Sequence, residues 1–311
     1  MKKVLEINNL TKIFEGTPDF TAVDRISFDL REGEILGFLG PNGSGKTTTI
    51  HMLLGILTHT SGSIHYFGKD FSQHRSEILQ SVSFASTYTS LPWSLTIEEN
   101  LIVYGMLHGL SLKESRQKFS PLLERFGILS KLHERVANLS AGQITRLMLV
   151  KAFFVEPKIA LLDEPTASLD PEISKEICQF LLEQREKKGL SILFTSHKMD
   201  EASEICDRVI FLKRGKIIAN GLPKQLAKAI TGHKLKLTLT EGLDAVLSLV
   251  QEKNFPHKME ATSIEITLVE EEIPSFLSAI AKPGISYTQV NIQEPSLEDY
   301  FLSVAKDLHE L

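Results

Sequence analysis

The chain has 311 residues, 42% hydrophobic and 23% charged, the balance of a soluble globular protein of about two domains. With 34 Lys and Arg against 39 Asp and Glu, the net charge is −5, which excludes a generally basic nucleic-acid binder. The two cysteines, Cys178 and Cys206, exclude a disulfide framework and fit a reducing compartment.

From the N-terminus, Lys2 and Lys3 resemble the start of a secretion signal, but Glu6, Asn8 and Asn9 interrupt any apolar core. No stretch reaches the ~18 uninterrupted apolar residues of a spanning helix, so any membrane part is expected on another chain. VLEINNL and AVDRISFDL alternate as strands, and EILGFLG reads as a buried strand ending in glycine. Residues 44–57 then read as a helix. VSFAST ends another strand. Residues 96–156 read as helical, with capping-box spacing at Thr96/Glu99 and Ser111/Glu114. KIALLDEP, LSILFTSH and RVIFLKRGK are three more apolar strands. This alternation predicts a largely parallel sheet covered by helices.

Charge shifts near Thr231 and Gly232: residues 1–230 carry 28 basic and 26 acidic side chains, residues 231–311 carry 6 and 13. In the tail, LKLTLT, SIEITLV and ISYTQVNI read as strands and 244–253, 274–282 and 297–308 as helices, with Ser296 and Asp299 at cap spacing. The prediction is a 1–230 domain and a small α+β domain over 231–311.

Three motifs carry chemistry. Gly40-Pro41-Asn42-Gly43-Ser44-Gly45-Lys46-Thr47 follows an apolar strand and opens a helix, the context of a phosphate-binding loop. Its glycines let N–H groups converge on phosphate oxygens, and the helix N-terminus adds partial positive charge. Lys46 would bridge the β- and γ-phosphates, Thr47 would ligate Mg²⁺ and Thr48 would reach the α-phosphate. Asp163 and Glu164 end the strand IALLD, where ligands of α/β sheets sit. Asp163 would hold Mg²⁺ and Glu164 would polarise an attacking water. In Leu139-Ser140-Ala141-Gly142-Gln143, Ser140 reads as the N-cap of a helix over 144–155. That N-terminus suits either plain capping or the γ-phosphate of a nucleotide on a facing subunit.

In this order and spacing the motifs, with Ala167-Ser168-Leu169-Asp170 and His197, resemble the ATP-binding subunit of an ABC transporter over all of 1–230. The resemblance implies an α/β P-loop NTPase fold of ABC ATPase type. It has a mostly parallel core sheet, antiparallel N-terminal strands and a helical subdomain over about 88–160. It implies ATP and Mg²⁺ as ligands, ATP hydrolysis and roles for further residues. Phe14 would stack on adenine, the alternative being a core aromatic. His197 would contact the γ-phosphate and orient Glu164. Ser168 and Asp170 would lie in a loop facing the second subunit, and Asp170 also reads as the N-cap before Pro171.

Two departures stand out. Ala141 replaces the usual signature glycine. Thr87 stands where the family usually has a glutamine near Mg²⁺ and water, which raises either another ligand there or slowed hydrolysis. Tyr88, Leu91 and Trp93 would form an apolar patch for a membrane subunit, with Tyr104 and His108 nearby, or would pack locally. Residues 231–311, through EPSLEDYFL, resemble the C-terminal domain on subunits of two-component, ABC-2-type exporters, regulatory, dimer-supporting or passive.

With one phosphate loop and one signature per chain, two copies are expected head-to-tail around two ATP. A separate polytopic permease is the expected membrane partner, and the location would be cytoplasmic, peripheral on the inner face of the membrane. No nucleic acid is expected. The alternatives are a soluble ABC-type ATPase acting on nucleic acid or ribosome, and a weakly hydrolysing ATP-binding regulator.

Overall fold

A computed structural model describes residues 2–86, 91–167, 169–229, 232–260, 262–281 and 284–307. The chain forms two compact units, residues 1–223 and 224–311.

In the first unit the elements run β1 (Lys3–Phe14), β2 (Phe20–Arg31), β3 (Ile35–Leu39), α1 (Lys46–Leu53), β4 (Ser61–Tyr66), β5 (Lys69–Asp70), α2 (Phe71–Leu79) and β6 (Val82–Ser86). There follow α3 (Ile97–Leu107), α4 (Leu112–Arg125), α5 (Ala141–Phe153), β7 (Ile159–Asp163), α6 (Pro171–Lys188), β8 (Ser191–Ser196), α7 (Met199–Ile205), β9 (Arg208–Lys213), β10 (Lys216–Gly221) and α8 (Pro223–Lys228), the last crossing the unit boundary. One sheet has the order β2-β1-β4-β5 and is antiparallel. The other has the order β10-β9-β3-β8-β7-β6, parallel except where β10 pairs β9.

The parallel strands read as continuous apolar runs because both faces are covered. Every residue of β3, β7 and β8 is buried. Each fully buried Leu or Ile there contributes roughly 1.5–3 kcal/mol. A buried ion pair ties this sheet to β2: Arg208 Nε donates to Glu34 Oε1 at 2.8 Å, and a terminal nitrogen donates to Glu34 Oε2 at 3.1 Å and to the Asp29 carbonyl at 2.7 Å.

Both predicted capping boxes form. Thr96 Oγ1 accepts from the Glu99 N–H, and Glu99 Oε2 accepts from the Thr96 N–H at 2.8 Å. Ser111 and Glu114 repeat the arrangement. The helix expected over 44–57 is shorter, Lys46–Leu53, since glycines in left-handed backbone occupy its first turn and Gly55 (φ 66°) follows its end. Strands β4 and β10 and helix α2 escaped the sequence reading.

The second unit contains β11 (His233–Glu241), α9 (Leu243–Glu252), β12 (His257–Glu260), β13 (Ser263–Leu268), α10 (Ile273–Ile280), β14 (Ser286–Gln293) and α11 (Leu297–Asp307). Its sheet is antiparallel, order β12-β13-β11-β14. Leu235, Leu237, Leu239, Ile264, Ile266 and Leu268 pack with Val246, Val250, Phe276 and Ile280 of α9 and α10. Ser296 caps α11: its hydroxyl accepts the Asp299 N–H at 3.1 Å, and Asp299 Oδ2 accepts the Ser296 N–H at 2.9 Å. Among the described residues, no helix is long and apolar enough to cross a membrane.

Candidate functional site

Neighbouring β3, β8 and β7 bring their C-terminal ends together, with Leu39 paired to Ser196 and Thr195 paired to Asp163. The phosphate loop therefore leaves one strand beside the ends that carry Asp163, Glu164 and His197. Local backbone explains the glycines. Gly45 has φ 108°, and a Cβ there would lie 2.6 Å from the Ala22 carbonyl oxygen. At Gly40 (φ 152°) a Cβ would lie 2.3 Å from the Leu212 carbonyl oxygen. Only glycine fits such close approaches. The Ser44 carbonyl accepts the Gly215 N–H at 3.0 Å, anchoring the loop to the β9–β10 turn.

The side chains form one network. Thr47 Oγ1 donates to Asp163 Oδ2 at 2.9 Å, and Thr195 Oγ1 donates to Asp163 Oδ1 at 2.7 Å. The Glu164 N–H donates to Thr195 Oγ1 at 3.0 Å. Lys46 Nζ donates to the Gly40 carbonyl at 2.7 Å and lies 3.6 Å from Glu164 Oε1. His197 Nδ1 is 2.7 Å from Glu164 Oε2 and donates to it in the tautomer protonated there. Lys46, Asp163 and Glu164 are buried, while the His197 side chain is half exposed. Glu164 has φ 53°, a left-handed conformation costing roughly 1–3 kcal/mol for a non-glycine residue. The Thr195 bond to its N–H helps hold it there. Thr195, invisible as a motif, sits between both carboxylate-bearing residues.

A cleft of about 330 Å³ opens over this network, lined by Phe20, Ala22, residues 42–48 and Glu164. Ser44 Oγ and Glu164 Oε1 are buried there with no hydrogen-bond partner among the described residues, two groups left for a polar ligand to satisfy. The hydroxyl of Thr47 and the carboxylate of Asp163 are hard oxygen donors, the chemistry that fits Mg²⁺. Among the described residues no group of three or more His, Cys, Asp or Glu could hold a metal.

Other expected residues lie elsewhere. Phe14 ends β1, paired with Phe20 across the hairpin, and the Lys12 ammonium sits 5.0 Å from its ring centre. The aromatic lining the cleft is Phe20, 60% exposed. Both phenylalanines flank the loop 15–19, and their pairing sets both on one face of the hairpin, with Phe20 the one that lines the cleft. Ser140 caps α5, its N–H donating to Gln143 Oε1 at 2.9 Å. Ser140, Ala141, Gly142 and Gln143 do not line this chain's cleft. Helix α5 spans Ala141–Phe153 rather than 144–155, because the capping box starts it at residue 141.

Asp170 occupies the N-cap position of α6, but its side chain makes no capping bond. Pro171 follows at the first helical position, where a backbone N–H would have no intrahelical partner. Thr87, Tyr88 and Ser168 fall outside the described residues. Leu91 is buried, so it does not join an exposed patch, whereas Trp93 is 67% exposed. Val103, Met106 and Leu107 stand exposed on α3. Tyr104 packs against His108, with ring centres 4.7 Å apart, and under the Lys151 ammonium at 4.8 Å.

Fold and network together define a P-loop nucleoside triphosphatase. Residues 23–167 match the family described as ABC transporter. The ABC transporter ATP-binding protein YhcH of Bacillus subtilis is 30% identical over 311 residues, covering all of this chain and 98% of that protein. The Nod factor export ATP-binding protein I of Paraburkholderia xenovorans is 36% identical, covering 71% of this chain and 72% of its own. Among solved structures, one described as the ATP binding subunit of an ABC transporter superposes with TM-score 0.67 at 27% identity, over 73% of this chain and 92% of its own. The chain belongs to the ABC transporter ATP-binding proteins: it is an ATP-binding, ATP-hydrolysing subunit that powers transport.

Proposed function

We propose that the Thr47–Asp163–Thr195–Glu164–His197 network, with Lys46, is the hydrolytic centre of a subunit that drives export through a separate membrane permease. The convergence of these groups at the ends of three adjacent strands carries the reading. Residues 40–48 cradle the phosphates, and Lys46 moves from the Gly40 carbonyl to the β- and γ-phosphate oxygens. Thr47 and Asp163 hold Mg²⁺, which when bound neutralises charge on those oxygens. Glu164, aimed by His197, takes the proton of the attacking water. Thr48 supports the α-phosphate, and Phe20 beside Phe14 offers the face for the base.

Ser140, Ala141, Gly142 and Gln143, which do not line this chain's own cleft, complete the site of a second copy. The head-to-tail pair follows from one phosphate loop and one signature per chain. Asp170 and Ser168 serve the same junction. ATP closes the pair because it binds the closed arrangement better than the open one. Trp93, with the exposed face of α3, receives the permease and places the subunit on the inner side of the membrane. Export is supported by the name of the Nod factor relative.

Two measurements test this. Purified protein is assayed with Mg-ATP against Glu164→Gln; a rate lower by roughly 10²-fold or more is expected. Equal rates would instead make the chain a weakly hydrolysing regulator. The tagged chain is also isolated from gently solubilised native membranes. A polytopic partner in a two-to-two complex is expected, and soluble partners alone would overturn the permease.

A further inference from the structure

Every residue of strand β14 is exposed. Its register with β11 sets Tyr287 beside Leu239, Val290 beside Leu237 and Ile292 beside Leu235. Paired residues share a face, so these three lie on the apolar side of the sheet. Their β11 partners are 0–4% exposed, yet Tyr287, Val290 and Ile292 are 42%, 38% and 46% exposed. The cover given by α9 and α10 stops short of β14. Among the described residues, no strand lies along its outer edge.

The sequence of β14, SYTQVNIQ, contains neither charge nor proline, in a tail holding 6 basic and 13 acidic residues. Free edges of monomeric proteins are usually guarded by Lys, Pro or a bulge. Here the register shifts are confined to the Ser286–Gln289 end, and Gln289–Gln293 pair regularly. An unguarded, regular edge thus adjoins an uncovered apolar stripe.

We propose that β14 pairs antiparallel with β14 of a second copy of this chain. Two identical antiparallel strands are related by a two-fold axis normal to the sheet, so the contact closes on itself. That axis keeps both helix layers on one side and brings the two overhanging stripes together. One contact then satisfies the free backbone edge and buries both sets of Tyr287, Val290 and Ile292. An uncharged strand meets its own copy without like-charge repulsion, whereas a partner chosen by charge would match the acidic surface and not this strand. A single strand pair is weak by itself, and its strength comes from acting within a dimer held elsewhere. The inference goes beyond the nucleotide-dependent pairing proposed above and is tested separately from it.

Full-length Gln289→Cys, Val290→Cys and Asn291→Cys are oxidised mildly, each alone and with Gln289→Cys mixed with Asn291→Cys. Cys178 and Cys206 are buried, so the unaltered chain serves as the blank. A symmetric register predicts a disulfide dimer from one position and not from its neighbours. Adding Lys at a neighbouring exposed position of β14, Thr288→Lys with Gln293→Lys, should lower the yield about tenfold. The same Lys pair in Glu164→Gln should leave the ATP-dependent dimer intact by light scattering, separating the two contacts. The proposal is overturned by equal cross-linking at all positions, by cross-linking that ignores the Lys pair, or by no cross-linking while ATP still dimerises Glu164→Gln. That last result would assign the β14 edge to a cover other than a second β14.

Discussion

Strands β8 and β14 show how differently the two units use a sheet. All of β8 is buried, flanked by strands on both sides, and its end delivers Thr195 and His197 to the site. All of β14 is exposed, paired on one side, and brings no titratable group but Tyr287. A parallel strand buried on both faces is rigid, and rigidity is what catalytic groups held within tenths of an ångström require. An edge strand with an open face suits recognition. The comparison teaches that in this chain chemistry and assembly fall on opposite kinds of strand.

The largest effects should sharpen that contrast. Glu164→Gln should cut turnover by roughly 10²–10⁴-fold while ATP still binds, whereas Val290→Ala should leave turnover per assembled dimer unchanged; steady-state rates at saturating ATP check both. A variant of β14 that lowered turnover as Glu164→Gln does would break the comparison. In stability, Leu161→Ala in β7 should cost about 2–5 kcal/mol. Val290→Ala should cost under about 0.5 kcal/mol in the isolated chain, read from denaturant midpoints at unchanged slope.

Much of this was legible in the sequence, for definite reasons. The phosphate loop and Asp163-Glu164 announce themselves because backbone geometry forces glycines and strand ends force a boundary. Capping boxes at 96 and 111 were readable because both partners lie within four residues, whereas at 140 only the N-cap was read and the reciprocal bond from Gln143 emerged from the structure. Thr195 was not, since its role comes from a register between β7 and β8 that no local pattern encodes. Phe20 was missed because the lining of the cleft depends on which part of the hairpin lies beside the phosphate loop, which no local pattern encodes. The buried position of Leu91 and the uncovered face of β14 were hidden for the same reason: burial depends on what packs from elsewhere in the chain.

A middle-sized effect separates the two aromatics. Phe20→Ala should weaken ATP and GTP alike by roughly 1–3 kcal/mol, because stacking is indifferent to the base. Phe14→Ala should weaken them less, since its ring faces Lys12 and is not part of the cleft lining. Calorimetric titration with both nucleotides decides it, and the reverse ranking would return the stacking role to Phe14.

The smallest expected effect concerns Lys151, whose ammonium rests over the Tyr104 ring with no carboxylate partner among the described residues. Burial pushes its pKa down from 10.5 to about 8. The folded chain therefore holds this proton less tightly than the unfolded chain, so between pH 8 and 10.5 the unfolded state binds more protons. Stability contributed by this group must rise with pH across that window, and below pH 8 the cost of the buried charge is fully present. Lys151→Met keeps the packing on Tyr104 and removes the charge. It should stabilise the first unit at pH 7 by about 1 kcal/mol, the cation–π contact offsetting part of the burial cost, and the advantage should fade towards pH 10.5. Melting temperatures of both proteins from pH 7 to 10.5 show this directly. A difference that stays constant with pH would mean that Lys151 keeps its ordinary pKa, and that Tyr104 and the neighbouring α3 face leave its ammonium in water.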